Sequence, residues 1–519
     1  GYPTAFSMPY NASYGWDAYN CVGMENRAVM NLIYEGLFTL NNQFEAEPVL
    51  CESYELSDSG YVYTIELQNA TFSNGKTLIA DDVVYSMNMA AESPLYKGRF
   101  DDVGYYYASG TSTVTIEMYR PNDRLPCLLN FPIIPAYAGT EAPVGTGPFA
   151  RSGDTLMVND DWWQGADNLQ FRTVYLYASG SAEDTRDNFE IDNVHFVYNN
   201  PNASTAVEYH SDYELWNSRA TTMQYISFNF AEGIFQDAGV RAALTYAINR
   251  SNIAESVYHN FADAAVLPVH PASSLYDDSL AQKFAFTSSR AAMEELKTTS
   301  SFYLPDGYDP TRNRNVSEVE TKQTDETDES DELDDYDYSE DDEDSTVYTE
   351  SDEDEDEDLG IYKYLYNEIT MLVRTGNLRR VAAARIAAQN LNDAGFTVTL
   401  RELENDAFYY AIYNEEWDLY YGEVTLQPDF DLRPLLMSGG SLNYGGFSGS
   451  DELNELLSKS RENSGNCYDL YKYIMERGYL CPVLFINNAV YTTRGVFTGL
   501  NPAPENLFYN IKNVQIKRE

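Results

Sequence analysis

The chain has 519 residues, a formal net charge of −49 and a hydrophobic content of 43%. A single hydrophobic core stops growing at about 250–300 residues, so two or more lobes are expected. The strong negative charge argues against nucleic-acid binding, because phosphates attract Lys and Arg. No run of about 18 apolar residues occurs, so the sequence offers no candidate transmembrane helix. The chain also opens without the pattern of a signal peptide, as a processed or trimmed protein would.

Residues 63–87 give the clearest local pattern. Apolar and polar residues alternate over 63–68, which predicts a half-buried strand. Residues 73–75, Ser-Asn-Gly, have the chemistry of a turn. Asp81 and Asp82 then precede an apolar helical face, where acids favour the positive end of the helix dipole. The stretch therefore predicts a strand, a turn and a short helix, and it contains no catalytic motif.

The rest of the chain alternates between strand and helix patterns. The strand–helix–strand run of residues 370–400 predicts a parallel crossover unit. Gly145 and Gly147 belong to a tight turn rather than a phosphate loop, because Pro follows where a Walker motif needs Lys and Ser or Thr. The other predicted elements are helices at 24–34, 240–250 and 451–460 and strands at 112–119, 174–177, 224–230, 417–421 and 482–486.

An acidic segment at residues 312–360 interrupts this pattern. Residues 317–358 hold 24 Asp or Glu and one Lys. A block of like charge with few apolar residues cannot bury a core, so we expect a disordered surface insertion. The D-x-D-x-D-G loop with a closing Glu is absent, so a defined calcium site is not expected.

The cysteine and histidine content favours neither a disulfide framework nor a metal centre. There are five Cys, an odd number, and no C-x-x-C pair. Cys467 and Cys481 flank one helical pattern and could pair, but free buried thiols are equally compatible with the sequence. The four His form no closely spaced pair, so no metal ligand set is predicted.

Several fragments, taken in order, resemble the peptide-binding class of extracellular solute-binding proteins. These proteins are the receptors of ABC importers, and the class has dipeptide, oligopeptide and nickel members. The fragments carry the resemblance through their shared order and spacing. They are YEGLFTL (34–40), EPVLCESYELSDSGYVYTIELQNATFSNGKTLIADDVVYSMN (47–88), VGTGPF (144–149), FNFAEGIFQDAGVRAALTYAINRSNI (228–253), PDFDLRPLL (428–436) and CPVLFINNAVY (481–491).

The resemblance implies an α/β fold of the periplasmic-binding-protein type, with two lobes that close on a ligand by hinge motion. The strand–turn–helix of residues 63–87 would belong to an extra subdomain that forms a side wall of the cleft. The chain would cross between the lobes after Phe230 and near Asn487. The implied division is lobe I core at 1–44, 144–236 and 487–519, the subdomain at 45–143, and lobe II at 237–486 with the acidic insertion inside it.

The resemblance also implies a carboxylate that holds the α-amine of a peptide. A buried carboxylate suits this task, because a buried charge without a counter-ion costs several kcal/mol. An alignment without a gap puts Leu426 in this position, and a one-residue gap puts Asp429 there. We predict Asp429, and the departure from the family pattern makes a peptide with a free amino terminus a less secure prediction than the fold.

Further ligand contacts are expected from polar and aromatic residues near the cleft. Asn443 and Tyr444 lie in the next cleft loop, where two glycines permit close backbone approach. Asn229 lies at the first crossing, where its backbone could bond an extended ligand. The remaining candidates are Trp417, which could instead be a core residue, and Tyr14 and Trp16 at the cleft rim.

The implied function is capture of a small solute, most simply a short peptide, and its delivery to an ABC permease. An oligosaccharide would suit the aromatic content of 14%, and a nickel complex is a weaker alternative. An acidic adhesion protein and a hydrolase are alternatives of other classes, and residues 446–450 match only part of a G-x-S-x-G motif. We expect no catalysis, cofactor or metal, a monomer, and a location outside the cell or in its envelope. A lipid anchor on an N-terminal segment absent from this chain is also expected.

Overall fold

The computed structural model describes residues 5–138, 143–231, 233–259, 261–288, 292, 368–447 and 449–517. The predicted acidic insertion at 312–360 lies outside these residues. The strands are β1 (Ala5–Tyr10), β2 (Phe38–Leu40), β3 (Ala46–Pro48), β4 (Cys51–Leu56), β5 (Val62–Leu67), β6 (Val103–Ala108), β7 (Thr113–Met118), β8 (Phe149–Ser152), β9 (Thr155–Val158), β10 (Thr173–Ala178), β11 (Phe196–Asn199), β12 (Tyr213–Phe228), β13 (Ala262–Ala264), β14 (Glu368–Arg374), β15 (Thr397–Leu403), β16 (Leu419–Thr425), β17 (Cys481–Thr493), β18 (Phe497–Thr498) and β19 (Gln515–Ile516).

The helices pack their apolar faces against these strands. None of the described helices combines the length and apolar character that a bilayer crossing needs. The α-helices are Met24–Met30, Ala80–Ala91, Ala182–Glu190, Ala238–Ala247, Arg250–Tyr258, Asp278–Phe284, Leu378–Asp393, Asn405–Tyr413, Arg433–Leu436, Asp451–Glu462 and Cys467–Arg477.

The first lobe is built on the sheet β1–β10–β9–β8, in which β1 and β10 are parallel. Its hydrophobic core joins the beginning of the chain to its end. Phe6 on β1 packs against Phe497 near the C-terminus, with ring centroids 5.0 Å apart. The C-terminal tail therefore completes the first lobe, because its aromatic residues fill the same core.

A separate four-stranded sheet, β4–β5–β7–β6, forms the subdomain of the first lobe. The strand, turn and helix predicted within residues 63–87 are confirmed as β5 and the helix Ala80–Ala91. The carboxylate of Asp82 accepts a hydrogen bond from the backbone N–H of Ile79 at 2.9 Å. This contact gives the backbone N–H just before the helix a hydrogen-bond acceptor, as a capping box does.

The second lobe is built on β12, β16, β14 and β15 of the largest sheet. The predicted parallel crossover is confirmed, because β14 and β15 pair in parallel and the helix Leu378–Asp393 connects them. Asn377 caps this helix by accepting a hydrogen bond from the backbone N–H of Arg380 at 3.1 Å. Alanines on one side of the helix pack into the core of the second lobe.

Two long antiparallel strands, β12 and β17, connect the lobes. The first part of β12, Tyr213–Ser218, pairs with the end of β17, which also pairs with β11. The second part of β12, Thr222–Phe228, pairs with both β17 and β16. The register shifts between Ser218 and Thr222. The chain thus changes from first-lobe to second-lobe partners inside β12, before Phe230.

All five cysteines are free and buried. Cys467 begins a helix and Cys481 begins β17, and neither forms a disulfide. Burial raises the pKa of the Cys467 thiol to about 11. The thiols therefore act as small apolar side chains, which is the second of the two possibilities that the sequence left open.

Candidate functional site

The two lobes meet at a cluster of buried charges, which we call the inter-lobe ion-pair cluster (Asp102, Asp429, Asp431, Arg433 and Arg461). Asp102 belongs to the subdomain of the first lobe and directly precedes β6. Its carboxylate accepts two hydrogen bonds from Arg433, at 2.9 and 2.8 Å. It also accepts one from Arg461 at 2.6 Å. A single aspartate of the first lobe is therefore bonded to two arginines of the second.

The arginines determine the charge state of the aspartates in this cluster. Burial alone would raise the pKa of Asp102, but Arg433 and Arg461 hold it well below its usual range. The pKa of Asp431 is lowered in the same way, against the effect of burial, chiefly by its hydrogen bonds with Arg433. Both carboxylates are consequently ionised at neutral pH.

Asp429 lies in this cluster and is 7% exposed. Its Oδ2 is 3.0 Å from Nη2 of Arg461 and accepts a hydrogen bond from Nδ2 of Asn122 at 3.2 Å. Its Oδ1 has no hydrogen-bond partner among the described residues. A cavity of about 20 Å³ adjoins it, which is space for about one water molecule. The cation facing Asp429 is thus a guanidinium of the same chain.

A turn of the first lobe also enters the second lobe. Phe44, in the turn between β2 and β3, is fully buried and belongs to the second lobe's core. Its ring lies 5.1 Å from that of Phe430 and 5.0 Å from that of His270, measured between centroids. The lobes are therefore in contact at this side of the molecule through both apolar and charged side chains.

Asn229 and Trp417 lie side by side in the second lobe. Nδ2 of Asn229 donates to the backbone oxygen of Trp417 at 3.1 Å, and Oδ1 of Asn229 accepts from the N–H of Ala231 at 3.0 Å. Trp417 is 4% exposed and packs in the apolar core. The amide of Asn229 thus holds the chain just after β12, and the indole of Trp417 belongs to the core.

Tyr444 and Asn443 are close to this pair. The ring of Tyr444 lies 5.9 Å from that of Tyr420 and 6.2 Å from that of Tyr409. Nδ2 of Asn443 donates to the backbone oxygens of Met437 at 3.0 Å and Phe447 at 2.7 Å. The four candidates of the second lobe are thus brought together, although both asparagine amides bond to nearby backbone.

The first-lobe candidates lie apart from this group. Tyr14 is 45% exposed, and its ring covers Gly23. The ring of Trp16 lies 5.5 Å from that of Tyr10, and the Arg151 guanidinium is 4.4 Å from its centre. These contacts are all within the first lobe. Leu426, the other position for the amine anchor, is buried in the second lobe's apolar core.

Sequence reasoning missed Asp102, Arg433 and Arg461. Asp102 is separated from Arg433 by 331 residues and from Arg461 by 359 residues. No local periodicity or motif marks an ion pair of that separation. The neighbouring pair of Asp431 and Arg433, two residues apart, was the only available signal, and on a single sequence it reads as an ordinary surface pair.

A second, larger cavity lies within the first lobe. It has a volume of about 510 Å³ and is lined by the helix Met24–Met30, β2, β3, residues 162–164 and residues 505–513. No residue of the second lobe lines it. In the described part of the chain, no group of three or more His, Cys, Asp or Glu side chains is arranged to hold a metal ion.

Sequence comparison finds a family and several relatives. Residues 45–445 match the model of the bacterial extracellular solute-binding proteins, family 5. The glutathione-binding protein GsiB of Shigella flexneri serotype 5b is 26% identical over 328 residues, which cover 58% of this chain and 58% of that protein. The chain therefore matches less than two thirds of the length of this relative.

Structure comparison finds the same fold in solved proteins. The unliganded open form of MppA, a periplasmic murein tripeptide binding protein, has a TM-score of 0.71 and 15% identity, covering 100% of this chain and 98% of that chain. The oligopeptide-binding protein AppA of Bacillus subtilis, in complex with a nonapeptide, has a TM-score of 0.57 and 18% identity, covering 99% and 100%.

The predicted two-lobed α/β fold is confirmed by these neighbours together with the sheets described above. The matched segment of 45–445 covers most of the chain, from the subdomain to the loop of Asn443 and Tyr444. The chain belongs to the bacterial extracellular solute-binding proteins of family 5.

Proposed function

We propose that this chain is an extracellular receptor that binds a short peptide between its two lobes and delivers it to the permease of an ABC importer. The observation that carries the proposal is that charged side chains from both lobes meet around Asp429. Two long strands, β12 and β17, connect these lobes. GsiB, MppA and AppA are described as binding glutathione, a murein tripeptide and a nonapeptide. All three ligands are peptides.

The connection between the lobes supports a hinge. We place it at the register shift between Ser218 and Thr222 and at the facing part of β17, Ile486–Asn488. A bulge interrupts the hydrogen-bonded ladder and lets a strand bend. A ligand that contacts both lobes would favour the closed state by its greater affinity for that state. The division into lobes given above is part of this proposal, with lobe II ending near residue 486 and with the first crossing moved from residue 236 to the shift between Ser218 and Thr222.

The ligand would lie between the first lobe, at Tyr14 and Trp16, and the second lobe, at Asn443, Tyr444 and the backbone of Asn229. Trp417, which is buried in the core, would support this wall from behind. Asp429 would accept the α-amine. Arg461 already faces this carboxylate at 3.0 Å, so an incoming ammonium must share Asp429 with Arg461 or displace it. Oδ1 of Asp429, which has no partner among the described residues, is the oxygen open to such a contact.

No bond is made or broken in this function. We place the protein outside the cell or in its envelope, as a monomer, with a lipid on an upstream segment as its anchor. Deletion of residues 313–359, within the acidic segment, should leave peptide affinity unchanged.

Thermal unfolding with defined ligands tests the proposal. The probes are glutathione, trialanine, N-acetyl-trialanine and maltotriose. A ligand present at 100 times its Kd should stabilise the protein by about 2.7 kcal/mol. We expect stabilisation by the peptides with a free amine and a weaker effect of N-acetyl-trialanine, since acetylation removes the charge that Asp429 would bind.

Two variants separate ligand recognition from general stability. Asp429→Asn should abolish the preference for trialanine over its acetylated form, whereas Asp101→Asn should keep it. Asp101 is the matched control, because it is exposed and lies beside the cluster. Stabilisation by maltotriose alone, or no shift with any peptide, would overturn the peptide proposal.

A further inference from the structure

The cavity within the first lobe, which we call the first-lobe cavity, has the size and lining of a binding site. Its volume of about 510 Å³ falls within the range of about 300–1,000 Å³ that small-molecule sites occupy. Its lining includes aromatic residues, of which Trp163 and Tyr509 are partly exposed, whereas Tyr34, Tyr96, Trp162 and Phe508 are almost fully buried. Because every lining residue belongs to the first lobe or its subdomain, the cavity does not depend on lobe closure.

Glu35 brings a carboxylate to this cavity with neutral partners only. Its Oε1 accepts hydrogen bonds from Nε1 of Trp163 at 2.7 Å and Oγ1 of Thr146 at 2.9 Å. Its Oε2 accepts one from Nε2 of Gln164 at 3.1 Å. Among the described residues, no Lys, Arg or His forms an ion pair with Glu35. Burial raises the pKa of Glu35 to about 7, although these hydrogen bonds oppose the rise.

A second carboxylate in the lining has the same kind of environment. Glu47 accepts hydrogen bonds from the hydroxyl of Tyr509 at 2.8 and 2.7 Å. It forms no ion pair with any described residue. Glu505, the third lining carboxylate, differs because Arg99 bonds both of its oxygens, at 2.8 and 3.0 Å. The cations Arg27 and Lys512 also line the cavity, but among the described residues neither forms an ion pair with Glu35 or Glu47. These two carboxylates therefore lack the cation found beside Glu505.

The aromatic wall is suited to a positive charge. Nζ of Lys512 already lies 5.5 Å from the centre of the Trp162 ring, which is a cation–π contact. Trp162 is 4% exposed, and its N–H lies near the carboxylate of Glu35 without meeting strict hydrogen-bond geometry.

We propose that the first-lobe cavity binds a small organic ammonium compound with an apolar body, whose charge faces Glu35 and whose body packs on the partly exposed rings of Trp163 and Tyr509. The carboxylates select the sign of the charge, because a buried charge is stabilised by an opposite one. The aromatic rings select an organic cation over a bare metal ion. This site is separate from the one proposed between the lobes.

Calorimetric titration with three probes of similar shape tests the proposal. They are 2-phenylethylammonium, neutral 2-phenylethanol and anionic 3-phenylpropanoate. The titrations are run at about pH 8, above the pKa of Glu35, so that the carboxylate is ionised. We expect one ammonium probe per chain, bound at least about 10-fold more tightly than the alcohol, since charge-assisted hydrogen bonds are the stronger ones. No binding of the anion is expected.

Variants locate the binding. Glu35→Gln keeps the shape of the side chain and should weaken binding of the ammonium probe at least about 10-fold. Glu117→Gln is the matched control, because Glu117 is an exposed glutamate of the same lobe that also accepts a hydrogen bond, here from Tyr107. It should leave the affinity unchanged. Val49→Phe, which fills the cavity from its wall, should weaken binding without removing a charge.

The inter-lobe variant Asp429→Asn distinguishes this site from the proposed peptide site. It should leave binding of 2-phenylethylammonium unchanged, whatever its effect on peptides. Equal binding by Glu35→Gln and the unsubstituted protein, equal binding of alcohol and ammonium, or no binding of the ammonium at all would each overturn the proposal. If Glu35→Gln fails to fold, unchanged binding by Val49→Phe would do the same.

Discussion

Buried carboxylates occur in two contrasting settings in this protein. In the inter-lobe ion-pair cluster, Asp102 faces two buried arginines, and its pKa lies well below the usual range. In the first-lobe cavity, Glu35 has three neutral hydrogen-bond donors, and burial raises its pKa to about 7. The comparison shows that hydrogen bonds from neutral donors only partly offset the loss of hydration, whereas two guanidinium groups outweigh it.

The two settings also differ in what they connect. The inter-lobe cluster joins residues from distant parts of the chain and leaves a cavity of only about 20 Å³. The first-lobe cavity is formed within one lobe and has about 510 Å³. A cluster in which every carboxylate faces a guanidinium group can hold two lobes together, whereas a cavity with carboxylates that lack ion partners is better suited to receive a cation.

The largest effect is expected from Asp102→Asn, which removes the carboxylate through which the first lobe bonds Arg433 and Arg461. Arg433 keeps Asp431 and Arg461 keeps Asp429 as partners, so the cost should lie at the lower end of the about 3–5 kcal/mol for a broken buried pair. Guanidinium unfolding measures the loss, and small-angle X-ray scattering should show a more open arrangement of the lobes. Asp101→Asn, an exposed neighbour, should change stability by less than about 0.5 kcal/mol.

The stability that Asp102 contributes should depend on pH in a defined direction. Its folded pKa is lower than its unfolded value, so the contribution is fully present above about pH 4 and is lost as the pH falls through the folded pKa. The difference between Asp102→Asn and the unsubstituted protein should therefore persist at neutral pH and shrink only in acid. An unchanged scattering profile together with unchanged stability would show that the cluster does not join the lobes.

A smaller effect of opposite pH dependence is expected from Glu35→Gln. The folded pKa of Glu35 is raised from 4.5 to about 7, so the folded state binds the proton more tightly. The contribution of Glu35 is fully present below about pH 4.5 and falls by up to about 3 kcal/mol as the pH rises through 7. Glu35→Gln should remove this decrease, so the variant gains stability relative to the unsubstituted protein between about pH 5 and pH 8.

Chemical unfolding at these two pH values measures the change for Glu35→Gln and for the control Glu117→Gln. Only the first should alter the pH dependence. The same pH dependence in Glu35→Gln and the unsubstituted protein would mean that Glu35 titrates normally, and the contrast between the two settings would fail.

The smallest effect is expected from Thr146→Val, which removes one donor to Glu35 at nearly constant volume. Thr146 is fully buried, and its hydroxyl donates to Oε1 of Glu35 at 2.9 Å. Loss of this bond to the ionised carboxylate should raise the pKa of Glu35 further and reduce stability at about pH 8 by about 1 kcal/mol. Thr146→Ser keeps the hydroxyl and should retain the original pH dependence of unfolding. The same shift in Thr146→Ser as in Thr146→Val would contradict the assignment.

Local patterns in the sequence predicted many elements well. The alternation over 63–68 predicted β5, observed at Val62–Leu67, to within one residue. The prediction at 224–230 covered less than half of the observed strand Tyr213–Phe228. The first part of that strand has no regular alternation of apolar and polar residues, and its conformation is fixed by pairing with β17. Strands stabilised by distant partners are difficult to predict from local periodicity.

The candidate ligand site was less predictable than the fold. The sequence pointed to an acidic side chain at Asp429, and the structure places that side chain between the lobes. The sequence could not indicate that Arg461 faces the carboxylate of Asp429, because the two residues are on different elements. Glu35 was visible only as part of the YEGLFTL fragment, and nothing local marks the Trp163 and Gln164 donors that meet it.

The sequence by itself determined many of the strands and helices, because the spacing of apolar residues encodes which face of each element is buried, and its resemblance to a known family implied the two α/β lobes. Only the tertiary structure decided which charges meet. Asp102 meets Arg433 and Arg461, while Glu35 meets neutral donors beside an aromatic cavity. Ion pairing and hydration depend on distances between groups that are far apart along the chain, and these distances exist only once the lobes have packed.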